Sequence, residues 1–232
     1  GIPPNNKESF LDIGCGSGLS SLAAHLNGYS YILSFDYDND SVKASKRLMN
    51  KYCNNQLGTW EIKQGSIIDK TFIKSLPKFN VVYSWGVLHH SGEMWNAIEF
   101  SSSKVKRKGK LFISIYNDQN IISKFWNIIK YVYVSSPNLV KKVMIGFYII
   151  YFGTGLFIFD IIRLRNPLKR HYGDTRGMKF YFDVIDWIGG YPFEVAKPKD
   201  ICDFVEQKGF LLLRIKNVGF RHGCNEYLFQ KL

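Results

Sequence analysis

A short apolar run, Phe10-Leu11-Asp12-Ile13, passes directly into Gly14-Cys15-Gly16-Ser17-Gly18, and Leu19 to Leu26 then reads as a helix ending at Gly28. No other feature constrains the fold as much. Glycines allow a tight strand-to-helix turn and a close approach of backbone to ligand, and the helix N-terminus offers unpaired N–H groups. A second run, Tyr31 to Phe35, ends in Asp36, and Asp38 stands where it can N-cap a helix carrying Val42, Ala44, Leu48 and Met49. Trp60 to Gln64, Phe79 to Trp85 and Leu111 to Tyr116 read as further strands. The last is entered through a turn at Lys108-Gly109-Lys110, and helical patterns fill the gaps, notably Met94 to Val105. Strands alternating with helices predict an α/β fold, a parallel sheet with helices on both faces.

The alternation breaks after Tyr116. Residues 117–198 read as helical or irregular and are very apolar in part. Order returns with a helix from Lys199 to Lys208, which has Pro198 near its first turn and Gly209 at its end, followed by strands at Phe210 to Lys216 and Glu226 to Lys231. The pattern predicts one domain over residues 1–232, with 117–198 as an insertion covering the substrate.

Hydrophobic residues make up 46% of the 232, which excludes a disordered or collagen-like chain. Lys and Arg number 31 against 19 Asp and Glu, a net charge of +12. That balance favours an anionic partner, whether nucleic acid, acidic lipid, phosphorylated substrate or anionic cofactor, and does not choose among them. Cys15, Cys53, Cys202 and Cys224 are too scattered for a zinc site or a disulfide framework, so no metal is expected and a reducing cytoplasm is the expected setting. The chain begins with Gly and shows no signal peptide.

The dinucleotide fingerprint G-x-G-x-x-G would need its third glycine where Leu19 stands, so a loop cradling a pyrophosphate fits poorly. A ligand without a diphosphate fits better. Asp36, 20 residues beyond Gly16, can accept hydrogen bonds from ribose hydroxyls, and Asp12 can hold a cationic amino group. Together they suggest a nucleoside with an amino-acid tail. The segments FLDIGCGSG, LSFDYD, GSIID, NVVYSWGVLHH and GKLFISIYN resemble, in order and spacing, the class I S-adenosylmethionine-dependent methyltransferases over residues 7–116. The closing helix and hairpin extend the likeness to the C-terminus. WGVLHH resembles the branch of quinone and polyprenyl-phenol methylases and small-molecule O-methyltransferases. The resemblance implies a Rossmann-like, doubly wound, mostly parallel seven-stranded sheet with an antiparallel last strand and a helical insertion between the fifth strand and the last helix. It implies S-adenosylmethionine as cofactor, with S-adenosylhomocysteine as product. Gly14, Gly16 and Gly18 would touch the cofactor through backbone, Asp12 would face its methionine amino end and Asp36 its ribose. Ser66 and Ile67 would flank the adenine, although Ser66 stands where the family often has Asp. Cys15, Tyr37 and Trp85, in the same motifs, complete the expected cofactor set. Relatives carry one or two helices before the first strand that help cover the active site. Here those helices are expected to be missing or replaced by the insertion.

Methyl transfer is an in-line displacement that often needs a base. His89 and His90 follow the fourth strand, near where the methyl should lie, and either could take a proton or merely cap a helix. In the insertion, Asp186-Trp-Ile-Gly-Gly-Tyr-Pro-Phe193 reads as a shaped loop, with a tight turn at Gly189-Gly190. Asp186 is a rival base. Tyr116, Arg176, Trp187 and Tyr191 are candidate substrate contacts, with salt bridges and packing as the plainer explanation of each.

Val143 to Phe159 holds no charged residue, and the stretch runs on through Asp160 to Ile162. Lys141-Lys142 precede it, and Arg163, Arg165, Lys169 and Arg170 follow. A single membrane crossing would split one sheet across a bilayer, so the stretch is expected to return to its own side. Three readings stand open: a buried helical lid, an interfacial membrane helix, and a homodimer interface through 143–162. The favoured function is O-methylation of a small molecule, with lipophilic and sugar- or lipid-linked acceptors as the options, by a cytoplasmic enzyme for which membrane association stays open. The rivals are an RNA (tRNA) methyltransferase and a non-catalytic binding protein of the same fold. Nucleic acid is disfavoured because neither an N/D-P-P-Y/F segment nor a cytosine-methylase cysteine follows the fourth strand.

Overall fold

The computed structural model describes residues 8–53, 58–164, 180–219 and 223–232. Seven strands form one sheet: β1 (Ser9–Ile13), β2 (Tyr31–Asp36), β3 (Thr59–Gln64), β4 (Phe79–Trp85), β5 (Val105–Tyr116), β6 (Phe210–Lys216) and β7 (Cys224–Lys231). Their order is β3-β2-β1-β4-β5-β7-β6, and β7 alone runs antiparallel to its neighbours. The doubly wound, mostly parallel sheet is therefore present. The strand order reverses at β1 and β4, so the crevice for a ligand lies beyond the carboxyl ends of these two strands.

β1 is central. It pairs in parallel with β2 on one side and β4 on the other, and all five of its residues are buried. This is why the run is almost continuously apolar: both faces of a parallel strand are covered. Leu11, Leu33, Phe35, Val82 and Ile113 pack one side of the sheet with Ile201, Tyr227 and Phe229. Phe10, Ile32, Trp60 and Val81 pack the other.

The helices around the sheet are α1 (Leu19–Leu26), α2 (Asn39–Tyr52), α3 (Lys70–Ser75), α4 (Met94–Ser103) and, late in the chain, α8 (Pro198–Glu206). Asp38 caps α2 as expected, accepting from the Ser41 N–H at 2.8 Å. Asp69 caps α3 through the Thr71 and Phe72 amides. The cap of α4 comes from far along the chain: the Glu194 carboxylate accepts from the Met94 N–H at 3.0 Å.

Two local expectations are corrected. Residues 105–110 are strand, not a turn. β5 begins at Val105 beside Phe79, and the pairing with β4 then shifts register around Lys108, whose φ is 60°. The bulge absorbs the turn signal of Lys108-Gly109 without ending the strand. Asp186 and Trp187 are likewise helical, in α7 (Phe180–Gly189), because Val184 and Ile188 form one apolar face. The turn starts only at the end of α7, where the Tyr191 N–H reaches the Gly189 carbonyl at 2.8 Å.

Residues 1–119 with 194–232 make one compact unit, and 120–193 make another. The second contains α5 (Ile121–Ser135), α6 (Asn138–Ile162) and α7. Its small core is Tyr133, Ile145, Val184 and Ile188. Lys130 is fully buried there. Its ammonium lies 4.2 Å from the Trp187 ring centroid and 4.9 Å from that of Phe193, and it donates to the Trp187 carbonyl. Burial lowers its pKa to about 8, against the pull of the Asp186 charge. Within this unit α6 is little covered. Only 12% of its most apolar window is covered.

Replacing Leu11, fully buried at the sheet centre, by Ala should lower unfolding free energy by about 3 kcal/mol, measured by urea denaturation.

Candidate functional site

The site forms where strand ends meet. At the end of β1 the chain turns through Gly14, Gly16 and Gly18 with φ of 69°, 54° and 86°. These left-handed values favour glycine. The loop hangs from the neighbouring strand: the Gly14 and Cys15 amides donate to the Phe35 carbonyl at 2.9 and 3.1 Å. A Cβ on Gly14 would lie 2.4 Å from the Val87 side chain, and one on Gly18 would lie 2.8 Å from Ser45 Oγ. Gly16 differs. Nothing stands within 4 Å of where its Cβ would be. Two of the three glycines are thus needed for packing, and Gly16 keeps its backbone open.

Asp36, at the end of β2, holds the loop in place. One carboxylate oxygen accepts from the Gly16 N–H at 2.9 Å, and the other from the Asp38 N–H at 2.9 Å. A carboxylate has about four acceptor positions, so it can accept further donors. Ser45, on α2, donates to the Gly16 carbonyl at 2.9 Å and lies 3.5 Å from Cys15 Sγ. Cys15 is buried, and its thiol pKa is pushed up to about 11, mainly by that burial. It is a packing residue, not a reactive thiol.

Asp12 is only 2% exposed. Its Oδ2 accepts from Ser21 Oγ at 2.6 Å. No ion pair among the described residues involves it. Burial raises its pKa to about 6, the Ser21 hydrogen bond opposes the rise, and the Asp36 charge adds to it. A buried carboxylate beside a second carboxylate suits a cationic ligand group, whose charge would relieve both effects.

After β3, the Gly65 N–H donates to the Asp36 carbonyl at 3.0 Å, which carries Ser66 and Ile67 to the Asp36 side of the sheet. Ile67 is buried. Tyr37 is 79% exposed and Trp85 46% exposed. The Trp85 indole donates to Glu226 at 3.4 Å.

Beyond β4, a 3-10 turn (Leu88–His90) carries both histidines. His89 is fully buried and His90 partly exposed. The His89 ring lies 4.1 Å from the Tyr116 ring and 4.5 Å from that of His90, while His90 lies 5.5 Å from Tyr116. The His89 carbonyl also accepts from the Glu194 N–H at 3.0 Å. The first unit thus brings together the glycine loop, Asp12, Asp36, Ser66, Ile67, Trp85, both histidines and Tyr116. Asp186, Trp187 and Tyr191 belong to the second unit. There Asp186 is exposed, and the Trp187 ring lies 5.5 Å from that of Trp126. Arg176 lies outside the described residues.

Ser21, Ser45 and Val87 were not among the residues singled out from the sequence. Ser21 follows Asp12 by nine positions on α1 and carried no motif. Ser45 and Val87 act only through the fold, one on a carbonyl and one against a missing Cβ.

A family model described as a methyltransferase domain matches residues 11–111. No curated protein sequence matches the chain. Among solved structures the fold resembles magnesium protoporphyrin IX methyltransferase from Synechocystis PCC 6803 with bound SAH, at TM-score 0.56 and 14% identity, covering 97% of this chain and 75% of that one. It also resembles PKMT2 from Rickettsia typhi in complex with AdoHcy, at TM-score 0.64 and 15% identity, covering 99% of this chain and 50% of that one. A third likeness is to a putative S-adenosylmethionine dependent methyltransferase from Listeria monocytogenes, at TM-score 0.56 and 14% identity, covering 99% and 93%.

The Asp12 pKa, raised from 3.8 to about 6, fixes the sign of a stability effect. The fold prefers the neutral acid, so the ionised form is a cost that is present above pH 6 and fades as pH falls toward 4. Asp12→Asn should therefore stabilise the ligand-free protein at pH 7.5 by up to about 3 kcal/mol, and the gain should vanish near pH 4. Paired thermal melts across pH measure the difference.

Proposed function

We propose that this chain, whose residues 11–111 match a methyltransferase domain, is a class I S-adenosylmethionine-dependent enzyme that methylates an oxygen of a small lipophilic molecule. The observation that carries this reading is the meeting, at one end of the sheet, of an open Gly16, a buried Asp12 with its pKa raised, and the Asp36 carboxylate. Each residue fits a part of S-adenosylmethionine. Asp12 would hold the ammonium, whose charge favours the ionised carboxylate. Asp36 would accept the ribose hydroxyls while still fastening the loop. Gly16 would let the ligand approach the backbone, and Ile67 would form an apolar wall for the adenine. When bound, the cofactor supplies a methyl group on a positively charged sulfur.

His90 is the proposed base, taking the proton from the acceptor hydroxyl. It is partly exposed just beyond the carboxyl end of β4, and imidazole is a side-chain type suited to taking up a proton near neutral pH. His89 and Tyr116 back its ring and limit its rotation. Asp186 is the weaker candidate, because its exposed carboxylate acts on the Lys130 ammonium. The exposed face of Trp85 offers an apolar contact for the acceptor.

S-adenosylhomocysteine should raise the melting temperature, and NADH should not. Asp36→Ala should largely abolish the shift. Gly16→Ala should also remove it while costing only about 1–2 kcal/mol of stability, the strain of a left-handed non-glycine residue. A protein stabilised by NADH alone would sink the cofactor assignment.

His90→Gln should retain the S-adenosylhomocysteine shift yet lose about a hundredfold or more in kcat across a panel of phenols and hydroxylated quinones. Methyl incorporation into tRNA but into no small acceptor would favour the RNA reading.

A further inference from the structure

The second unit is polarised the wrong way for a water-facing element. Along α6 the inward positions, such as Ile145, Tyr148 and Ile149, pack with α7 residues. The outward positions are also apolar: Val143, Phe147, Ile150, Tyr151, Ile158 and Ile162 are 50 to 74% exposed. At 3.6 residues per turn these positions fall within about one third of the helix circumference, on one side. α5 repeats the pattern, with Ile121, Phe125, Ile128 and Val132 exposed along one side. The window has a mean hydropathy of 1.9, and its single acid, Asp160, is buried. An exposed apolar surface of this extent marks a contact site.

The charges say what covers it. Lys141 and Lys142 stand at one end of α6 and Arg163 at the other, and the sequence continues with Arg165, Lys169 and Arg170. A helix with cations at both ends and an uncharged outward stripe between them suits an anionic surface, with each end at headgroup level. Self-association suits it less. If α6 packed against α6 of a second copy, antiparallel pairing would bring Lys141 and Lys142 to the other copy's Arg163, and parallel pairing would bring the lysines together. Like charges meet in both arrangements.

A single crossing is excluded by the sheet. β5 precedes α6 and β7 follows it, yet they pair over seven residues. The chain must therefore cross a bilayer an even number of times or not at all. α6 has 25 residues, about 37 Å, but α5 with 15 and α7 with 10 reach only about 22 and 15 Å. Neither crosses a hydrocarbon core of about 30 Å. Among the described residues no second helix can return the chain.

We propose that α6 is an in-plane membrane-docking helix whose outward apolar stripe enters the boundary between headgroups and acyl chains of an anionic bilayer. This does not depend on the reaction catalysed. It keeps the enzyme at a surface where lipophilic molecules collect.

The test is flotation of protein purified without detergent, with phosphatidylcholine vesicles and with vesicles that also contain phosphatidylglycerol. The wild type should float with the anionic vesicles and much less with the neutral ones. The triple variant Phe147→Ser, Ile150→Ser, Ile158→Ser alters only exposed side chains and should lower the partition by at least about tenfold. The double variant Lys142→Glu, Arg163→Glu should weaken it, as should raised salt. Retention of the wild-type melting transition by each variant shows that the fold survives. Two results overturn the proposal. One is a wild type that stays in solution beside anionic vesicles, whether light scattering finds it monomeric or dimeric. The other is a triple serine variant that floats as well as the wild type.

Discussion

The structure of the site depends on one carboxylate. Asp36 accepts the Gly16 and Asp38 amides at 2.9 Å each, and so fastens the loop after β1 to the end of β2. Parallel pairing makes this possible. Ile13 stands beside Phe35 in register, so the residue that follows each strand meets its counterpart from the other. The loop then needs left-handed turns, which glycine provides, and a helix that starts where the loop ends. Ser45 on α2 completes the cradle from the other side by donating to the Gly16 carbonyl. A ligand arriving here meets a backbone already held in shape, so little ordering remains to oppose binding.

The second electrostatic feature is a deliberate discomfort. Asp12 is buried with one hydroxyl partner and a like charge nearby, and its pKa rises accordingly. In a purely structural role an apolar residue would cost less. The strain is explained if the site receives positive charge, and it then contributes to selectivity, since a neutral ligand of the same shape would leave the carboxylate uncompensated. Lys130 shows the complementary solution in the other unit. There a buried ammonium is held by two aromatic rings and a carbonyl, and needs no ligand.

The two units put their apolar residues to different uses. In the first, helices cover both faces of the central strands, while the edge strand β6 leaves Leu211, Leu213 and Ile215 exposed. In the second, three helices share a core of four buried residues and leave much of their apolar surface in water. Composition alone does not reveal this division. The +12 charge of the chain acquires meaning only where cations flank an exposed stripe.

The sequence by itself determined the local choices. Alternating apolar runs and helical patterns gave the strands and most helices, the glycine trio located the loop, and Asp38 announced a cap that it does form. These signals are local, because propensity, capping and turn chemistry act within a few residues. It misjudged the segment at Asp186, where glycines and a proline suggested a loop, because packing of Val184 and Ile188 overrode that signal. Only the tertiary structure decided the rest. The cap that Glu194 supplies to α4, the rings of His89 and Tyr116 in contact, the Ser21 hydroxyl on Asp12 and the open side of Gly16 all join residues distant in sequence or depend on what is absent beside them. No pattern along a chain encodes such contacts. They follow from strand order and from how side chains share space, and both are settled when the whole sheet assembles.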